Sequence, residues 1–276
     1  MTNSATALAA IPGTILLAGA GKMGGAMLTG WLNAGVALSR IAVIEPHISD
    51  DLRKLVALDL RVNPTADEAG PLAALVVAVK PQSFADAAPL LKAFTTPSTL
   101  VVSIMAGMTI TKIGAGCGGA VVRAMPNTPA AIGRGMTVAA PAPAVTAVQR
   151  AFADALLRST GEVEWVDDEG LMDAVTAVSG SGPAYVFLLA EELAAAGIAA
   201  GLPAELATKI ARATVSGSGE LLHQSDLEAA ILRKNVTSPG GTTAAALDVL
   251  MGKDGLKELM TRAIAAATKR SKELAG

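Results

Sequence analysis

The chain has 276 residues, 51% hydrophobic and 17% charged, with 22 Lys plus Arg against 24 Asp plus Glu and a formal net charge of −2. That length predicts two domains, each with its own core, and the balanced charge offers no basic field for a nucleic acid, so a small neutral or anionic ligand is expected. The single cysteine, Cys117, excludes an intrachain disulfide and a thiolate zinc site and fits a reducing cytoplasm. Residues 1–13 carry no basic stretch and run at once into a strand, and no apolar run of the roughly 18 residues that span a membrane escapes Gly, Pro, Ser or charge. A soluble, unexported chain without a membrane segment is expected.

In chain order, TILLAGA (14–20), RIAVIEP (40–46), ALVVAVKP (74–81), TLVVSIMAG (99–107) and AVVRAMPN (120–127) are short, continuously apolar runs. Strands of this kind are buried on both faces, as in a parallel sheet wrapped by helices. Residues 22–35 place Met23, Met27, Trp31 and Ala34 at helical steps after the first strand, a βαβ opening. The glycine cluster GAGCGGA (114–120) reads as a flexible connection, with Cys117 an incidental small residue. Pro126 and Pro129 stop regular structure, and GEVEWVD (161–167) closes the α/β half.

From Leu171 the pattern turns helical, over 171–178, 183–200, 203–222, 225–233, 243–251 and 256–274, with Ser225 and Glu228 in a capping-box spacing. The segment 183–200 has only Glu191 and Glu192 as charges, so it has to be buried on most sides. The remaining helices are too few to surround it, and a second subunit is expected to help. The organisation expected is an α/β domain with a parallel sheet over 1–168 followed by an all-α domain over 169–276.

The first loop, between strand and helix, carries G-x-G-x-x-G at Gly19, Gly21 and Gly24, with Lys22 and Met23 inside it. Alone the pattern is weak. Here it follows a buried strand, opens a helix and precedes Glu45, 21 residues beyond Gly24 near the end of the second strand. The first glycine permits the turn, the second admits the pyrophosphate and the third lets helix and strand pack, while the helix N-terminus supplies N–H donors to phosphates. Glu45 would accept ribose hydroxyls and favour NAD over NADP; His47 would face a phosphate or solvent. NADH and NADPH both stay open as cofactor.

Alcohol chemistry needs a protein group to carry the hydroxyl proton. Tyr185, the one tyrosine, is followed at i+4 by Leu189, and no lysine is followed at i+4 by asparagine, so neither the Tyr/Lys nor the Lys/Asn pair of known dehydrogenases is present. His47 and His223 lie in no metal-ligand spacing, and no metal is expected. Hydride transfer to a C=N bond, which needs no strong protein acid, fits better. In NVTSPGGTTAAALDVL (235–250), Gly240 and Gly241 expose N–H groups and Ser238, Thr242 and Thr243 add hydroxyls before a helix, which reads either as an anion nest or as a plain helix cap.

Together AGAGKMGGAM (18–27), VAVKPQ (77–82), VVSIMAGMT (101–109), VRAMPNTPA (122–130), AVSGSGPAY (177–185) and VTSPGGTTAAAL (236–247) resemble, in order, the pyrroline-5-carboxylate reductases, the enzymes completing proline synthesis. The resemblance implies an NAD(P)H-dependent reductase, with a Rossmann domain and a helical dimerisation domain whose dimers often assemble into decamers. It implies that Val79, Lys80 and Pro81 and then Ala106 and Gly107 lie along the cofactor with Asn127 nearby, and that Asn235 reaches it from the helical half. Ser238, Gly240, Gly241 and Thr243 would hold the substrate carboxylate or ring nitrogen; Thr242, at a place where the family also tolerates alanine, carries less weight as a substrate contact, and the Thr243 hydroxyl is expected on the ring nitrogen. In a dimer the Rossmann domain of one chain would meet the SPGGTT loop of its partner. Glu45-Pro46-His47 offers no arginine for the 2′-phosphate of NADPH, which the family commonly uses. A reductase of another cyclic imine, or a non-catalytic NAD(P)-binding sensor, is the alternative.

Overall fold

The computed structural model describes Leu8 and residues 13–275; the N-terminal stretch read above lies, apart from Leu8 and Gly13, outside them. By compactness the chain divides into one unit of Met1–Gly180 with Thr268–Gly276 and a second of Ser181–Ala267.

The first unit is built on an eight-stranded sheet: β1 (Thr14–Ala18), β2 (Ile41–Ile44), β3 (Arg61–Val62), β4 (Leu72–Val77), β5 (Leu100–Ser103), β6 (Ala120–Met125), β7 (Gly135–Pro141) and β8 (Gly161–Trp165). Their spatial order is β3-β2-β1-β4-β5-β6-β7-β8. The strands β1 to β6 pair in parallel, β7 runs antiparallel to β6, and β8 is parallel to β7. The order of the first six is that of the dinucleotide-binding fold, with its switch point between β1 and β4.

Each strand alternates its side chains between two helical layers. Ile15 and Leu17 face a core with Met27, Trp31, Phe152 and Leu156, while Leu16 and Ala18 face the opposite core with Phe84, Leu91 and Ile113. The helices are α1 (Lys22–Asn33), α2 (Asp50–Val56), α3 (Ala66–Ala69), α4 (Phe84–Lys92), α5 (Ile110–Cys117), α6 (Ala147–Arg158) and α7 (Met172–Val175). Trp31 anchors α1, its indole N–H donating to the Leu156 carbonyl at 3.0 Å.

Two readings are corrected here. Gly114 and Gly116 lie not in a flexible connection but within α5, which is capped only at Gly118. Tertiary packing overrides their weak propensity, because α5 comes so close to α4 that a Cβ on Gly116 would stand 2.8 Å from the Phe84 ring. Buried Cys117 closes that helix, and burial pushes its thiol up to about 11. The strand β7 has no counterpart in the apolar runs read above.

The compact division also falls later than residue 168, because Met172 in α7 packs with Val138 and Ala140 of β7. A π-helical turn, Thr176–Gly180, follows.

The second unit contains α8 (Gly182–Ala199), α9 (Ala204–Gln224), α10 (Ala229–Asn235), α11 (Thr242–Leu250) and most of α12 (Leu256–Ala275). Ser225 and Glu228 do not form a capping box. Ser225 is the extended residue ending α9, its hydroxyl accepts from Leu227 N–H at 3.1 Å, and Glu228 itself occupies the N-cap of α10. Only three of the unit's described residues are buried, Ala194, Ala207 and Ala211, while Phe187 is 67% and Leu189 54% exposed. The end of α12 belongs to the first unit: Ser271 donates to Asp173 at 2.7 Å, Lys112 donates to the Ala275 carbonyl, and Leu274 lies over Gly107.

Candidate active site

The carboxyl ends of β1, β4, β5 and β6 bring four of the motifs to one edge of the sheet. Gly19 leaves β1 with φ +94° and lies against the backbone that leaves β4, where a Cβ would stand 2.7 Å from the Ala78 carbonyl oxygen. Ala78 N–H donates back to Ala18 at 2.7 Å, and Ile104 N–H, beyond β5, to Val77 at 3.0 Å. The connections after β1, β4 and β5 are thereby stitched together at the switch point, where open α/β sheets bind ligands.

Gly21 is the N-cap of α1, and no side chain caps that helix. A Cβ on Gly21 would meet nothing within 4 Å, whereas one on Gly24 would stand 2.0 Å from the Gly19 carbonyl oxygen. The loop is therefore tight toward the sheet and open outward above uncapped N–H groups, which fits a dinucleotide pyrophosphate. Exposed Lys22 starts the helix, and half-buried Met23 packs on the core.

Glu45, just past β2, turns its carboxylate toward this loop. Oε2 accepts from Ala20 N–H at 2.8 Å and Oε1 from His47 N–H at 3.0 Å. Asn63 was not singled out from the sequence, yet it brackets Glu45: its Oδ1 accepts from Glu45 N–H at 2.8 Å and its Nδ2 donates to the Glu45 carbonyl at 3.0 Å. No apolar period marks such a residue.

Half-buried Val79 follows β4, with exposed Lys80 leading into the short helical turn that begins at Pro81. Exposed Ala106 and buried Gly107, φ +70°, follow β5. Asn127 follows β6, where its Oδ1 accepts from Met136 N–H at 2.9 Å and its Nδ2 donates to Ser179 Oγ at 3.3 Å. Its amide thus braces the MPNTP turn against the π-helical turn of the AVSGSGPAY block. Close by, Arg123 on β6 is 4% exposed and pairs with Glu169 at 3.0 Å, and Glu169 also accepts from the Ile110 N–H that opens α5.

The second unit holds the remaining candidates on one connection. Asn235 ends α10 and is exposed, as are Ser238 and Gly240, the latter with φ +68°. Gly241 N–H donates to the Ser238 carbonyl at 3.1 Å, and Gly241 is the N-cap of α11 without any side-chain cap. Thr242 occupies the first helical position rather than the cap. Half-buried Thr243 is the next residue, with its neighbouring N–H groups at the positive end of the α11 dipole. Among the described residues no cluster of His, Cys, Asp or Glu suits a metal.

Strand order, glycine loop and switch-point crevice define a Rossmann-type dinucleotide-binding protein joined to a helical unit. A family model described as NADP oxidoreductase, coenzyme F420-dependent, matches residues 14–107, and one described as pyrroline-5-carboxylate reductase dimerisation matches residues 169–274. The chain belongs to the pyrroline-5-carboxylate reductase family: it is 44% identical to the Synechocystis sp. enzyme over 242 residues, 86% of this chain and 89% of that protein. Among solved structures, the Coxiella burnetii pyrroline-5-carboxylate reductase superposes with a TM-score of 0.86 at 32% identity, covering 96% of this chain and 99% of that one. The Plasmodium falciparum enzyme, solved with NADP bound, gives 0.79 at 30% identity over the same shares.

Proposed function

We propose that this chain carries out the reaction its family is named for, using the two loops just described. It is an NAD(P)H-dependent oxidoreductase of proline biosynthesis that reduces 1-pyrroline-5-carboxylate to L-proline. When bound, NAD(P)H supplies the hydride for the C=N carbon. Gly19, Gly21, Lys22, Met23 and Gly24 with Glu45 receive its adenosine end and pyrophosphate, and Val79, Lys80, Pro81, Ala106, Gly107 and Asn127 line its course along the sheet edge. Asn235 approaches it from the helical domain.

The substrate carboxylate is held by the N–H groups of Gly240 and Gly241 and the hydroxyl of Ser238, with Thr242 at the rim. Thr243 accepts the iminium N–H with its hydroxyl oxygen and orients the ring. The imine arrives protonated, so no buried acid is needed. The observation that carries this division of labour is that both helix N-termini, at Gly21 and at Gly241, lack side-chain caps. A capping side chain would compete with a phosphate or carboxylate for the same N–H groups.

The functional domains run 1–168 and 169–276, the second also mediating assembly. The helical run from Glu169 to Ala199 is long and apolar enough to cross a membrane by length and composition. Its match to a dimerisation model argues that a second copy covers it instead. The assembly is a homodimer or a decamer built from dimers, cytoplasmic, with no nucleic-acid or membrane partner. In the dimer the SPGGTT loop of the partner completes the site. Proline formation from 1-pyrroline-5-carboxylate, followed with NADH and with NADPH, tests the reading; oxidation of neither cofactor by the folded oligomer refutes it.

A further inference from the structure

Asn63 follows the short strand β3, and its φ of +52° lies in the left-handed region where asparagine is enriched over other side chains. Its N–H still donates to Val43 at 2.7 Å, so the turn begins while the backbone is held to β2. The side chain then closes on both backbone polar groups of Glu45, at 2.8 and 3.0 Å. Beyond the end of the two-stranded pairing, one amide thus does what a further rung of the ladder would do. It fixes the peptide units on either side of the Glu45 Cα, and with them the direction of the side chain.

That side chain spans to the glycine loop, where Oε2 takes Ala20 N–H at 2.8 Å, while Oε1 takes His47 N–H at 3.0 Å. An ionised carboxylate offers about four lone-pair sites, so hydroxyl donors can still be accepted. A second anion cannot.

We propose that Asn63 is a positioning residue for cofactor selection: by clamping the Glu45 backbone it holds the carboxylate where ribose hydroxyls are accepted and a 2′-phosphate is repelled, which selects NADH over NADPH. The inference rests on the reading of Glu45 as the residue facing the adenosine ribose. Neither aspartate nor glycine reproduces the clamp, since aspartate keeps the acceptor but lacks the donor, and glycine keeps only the backbone conformation.

Steady-state kinetics with both cofactors on Asn63→Gly, Asn63→Asp, Glu45→Ser and the double variant provide the test. Asn63→Gly should raise KM for NADH about three- to tenfold, the range expected for losing one to two neutral hydrogen bonds. Neither kcat nor KM for the imine should change, and the NADH/NADPH ratio of kcat/KM should fall. Asn63→Asp should lie between Asn63→Gly and the natural protein. Within Glu45→Ser, adding Asn63→Gly should leave the ratio unmoved, because the group being positioned is gone. An unchanged ratio in Asn63→Gly overturns the proposal, as does a change that persists in the Glu45→Ser background. If Asn63→Gly does not fold, Asn63→Asp decides by the same ratio. If Glu45→Ser itself leaves the ratio unchanged, the underlying reading of Glu45 fails and the proposal with it; if Glu45→Ser shifts the ratio and Asn63→Gly does not, only the proposal falls.

Discussion

Gly24 stands so close to Gly19 that an added Cβ would lie 2.0 Å from the Gly19 carbonyl oxygen, while an equivalent atom on Gly21 would meet nothing within 4 Å. The two glycines therefore fail differently. Gly24→Ala pushes α1 off the loop and should lower stability by about 1–3 kcal/mol. Gly21→Val should melt near the natural temperature yet lose cofactor binding, since the branched side chain fills the phosphate space. Thermal melts and nucleotide fluorescence titrations separate the two; a Gly21→Val protein with unchanged affinity removes the loop from the cofactor site.

Replacing Glu45 by serine removes a negative charge from the end of β2 and the acceptors of Ala20 and His47 N–H. The NADH/NADPH ratio should shift toward NADPH by about tenfold, corresponding to roughly 1.4 kcal/mol of relieved repulsion. Initial rates with each cofactor measure it.

For Thr243, a hydrogen bond to a charged partner contributes about 1.5–3 kcal/mol, so Thr243→Ala should lower kcat/KM by about ten- to more than a hundredfold. Thr243→Ser should keep much of the activity and Thr243→Val should behave like alanine. Cofactor affinity should survive in all three. If the valine variant matches the natural enzyme, the residue only starts a helix.

Phe187 on α8 is 67% exposed in the isolated chain. Phe187→Glu places a charge in the surface expected to meet the second copy, and burying it unpaired costs several kcal/mol. Sedimentation should show a monomer at micromolar concentration, with activity falling in step. A stable dimer of that variant would exclude Phe187 from the interface.

Burial raises the Cys117 thiol to about 11 from 9.0. The folded chain then holds a proton that the unfolded chain releases above about pH 9, so this contribution to stability is complete below pH 9 and falls as pH rises toward 11, by up to ~3 kcal/mol. Cys117→Ala should flatten the alkaline fall in Tm across that window. The native protein at pH 8 should resist iodoacetamide, which mass spectrometry of the intact chain can follow.

The parts legible in the sequence are those written in local periodicity. The continuously apolar runs became β1, β2, β4, β5 and β6, and the spacing of Met27 and Trp31 became the buried face of α1. What stayed hidden depends on partners far along the chain. The strand β7 alternates little and ends at Pro141, and its pairing with β6 on one side and β8 on the other makes it a strand. Gly114 and Gly116 read as a loop until the Phe84 ring is placed beside Gly116. In the candidate site, the glycine spacing pointed to the loop and Glu45 to its neighbour. The Asn63 clamp arises from a positive φ and a two-residue strand, neither of which leaves a pattern.

The last turns of α12 lie with the Rossmann unit, Leu274 over Gly107 and Ser271 on Asp173. During synthesis the strands and the glycine loop leave the ribosome first, but the turn after β5 receives its cover only when residues 268–275 have emerged. The unit begun first is therefore finished last, with the whole helical domain made in between. Until then the nascent α/β unit carries an open seam beside Gly107, and a bulky fusion placed on the end of α12 would sit at that seam.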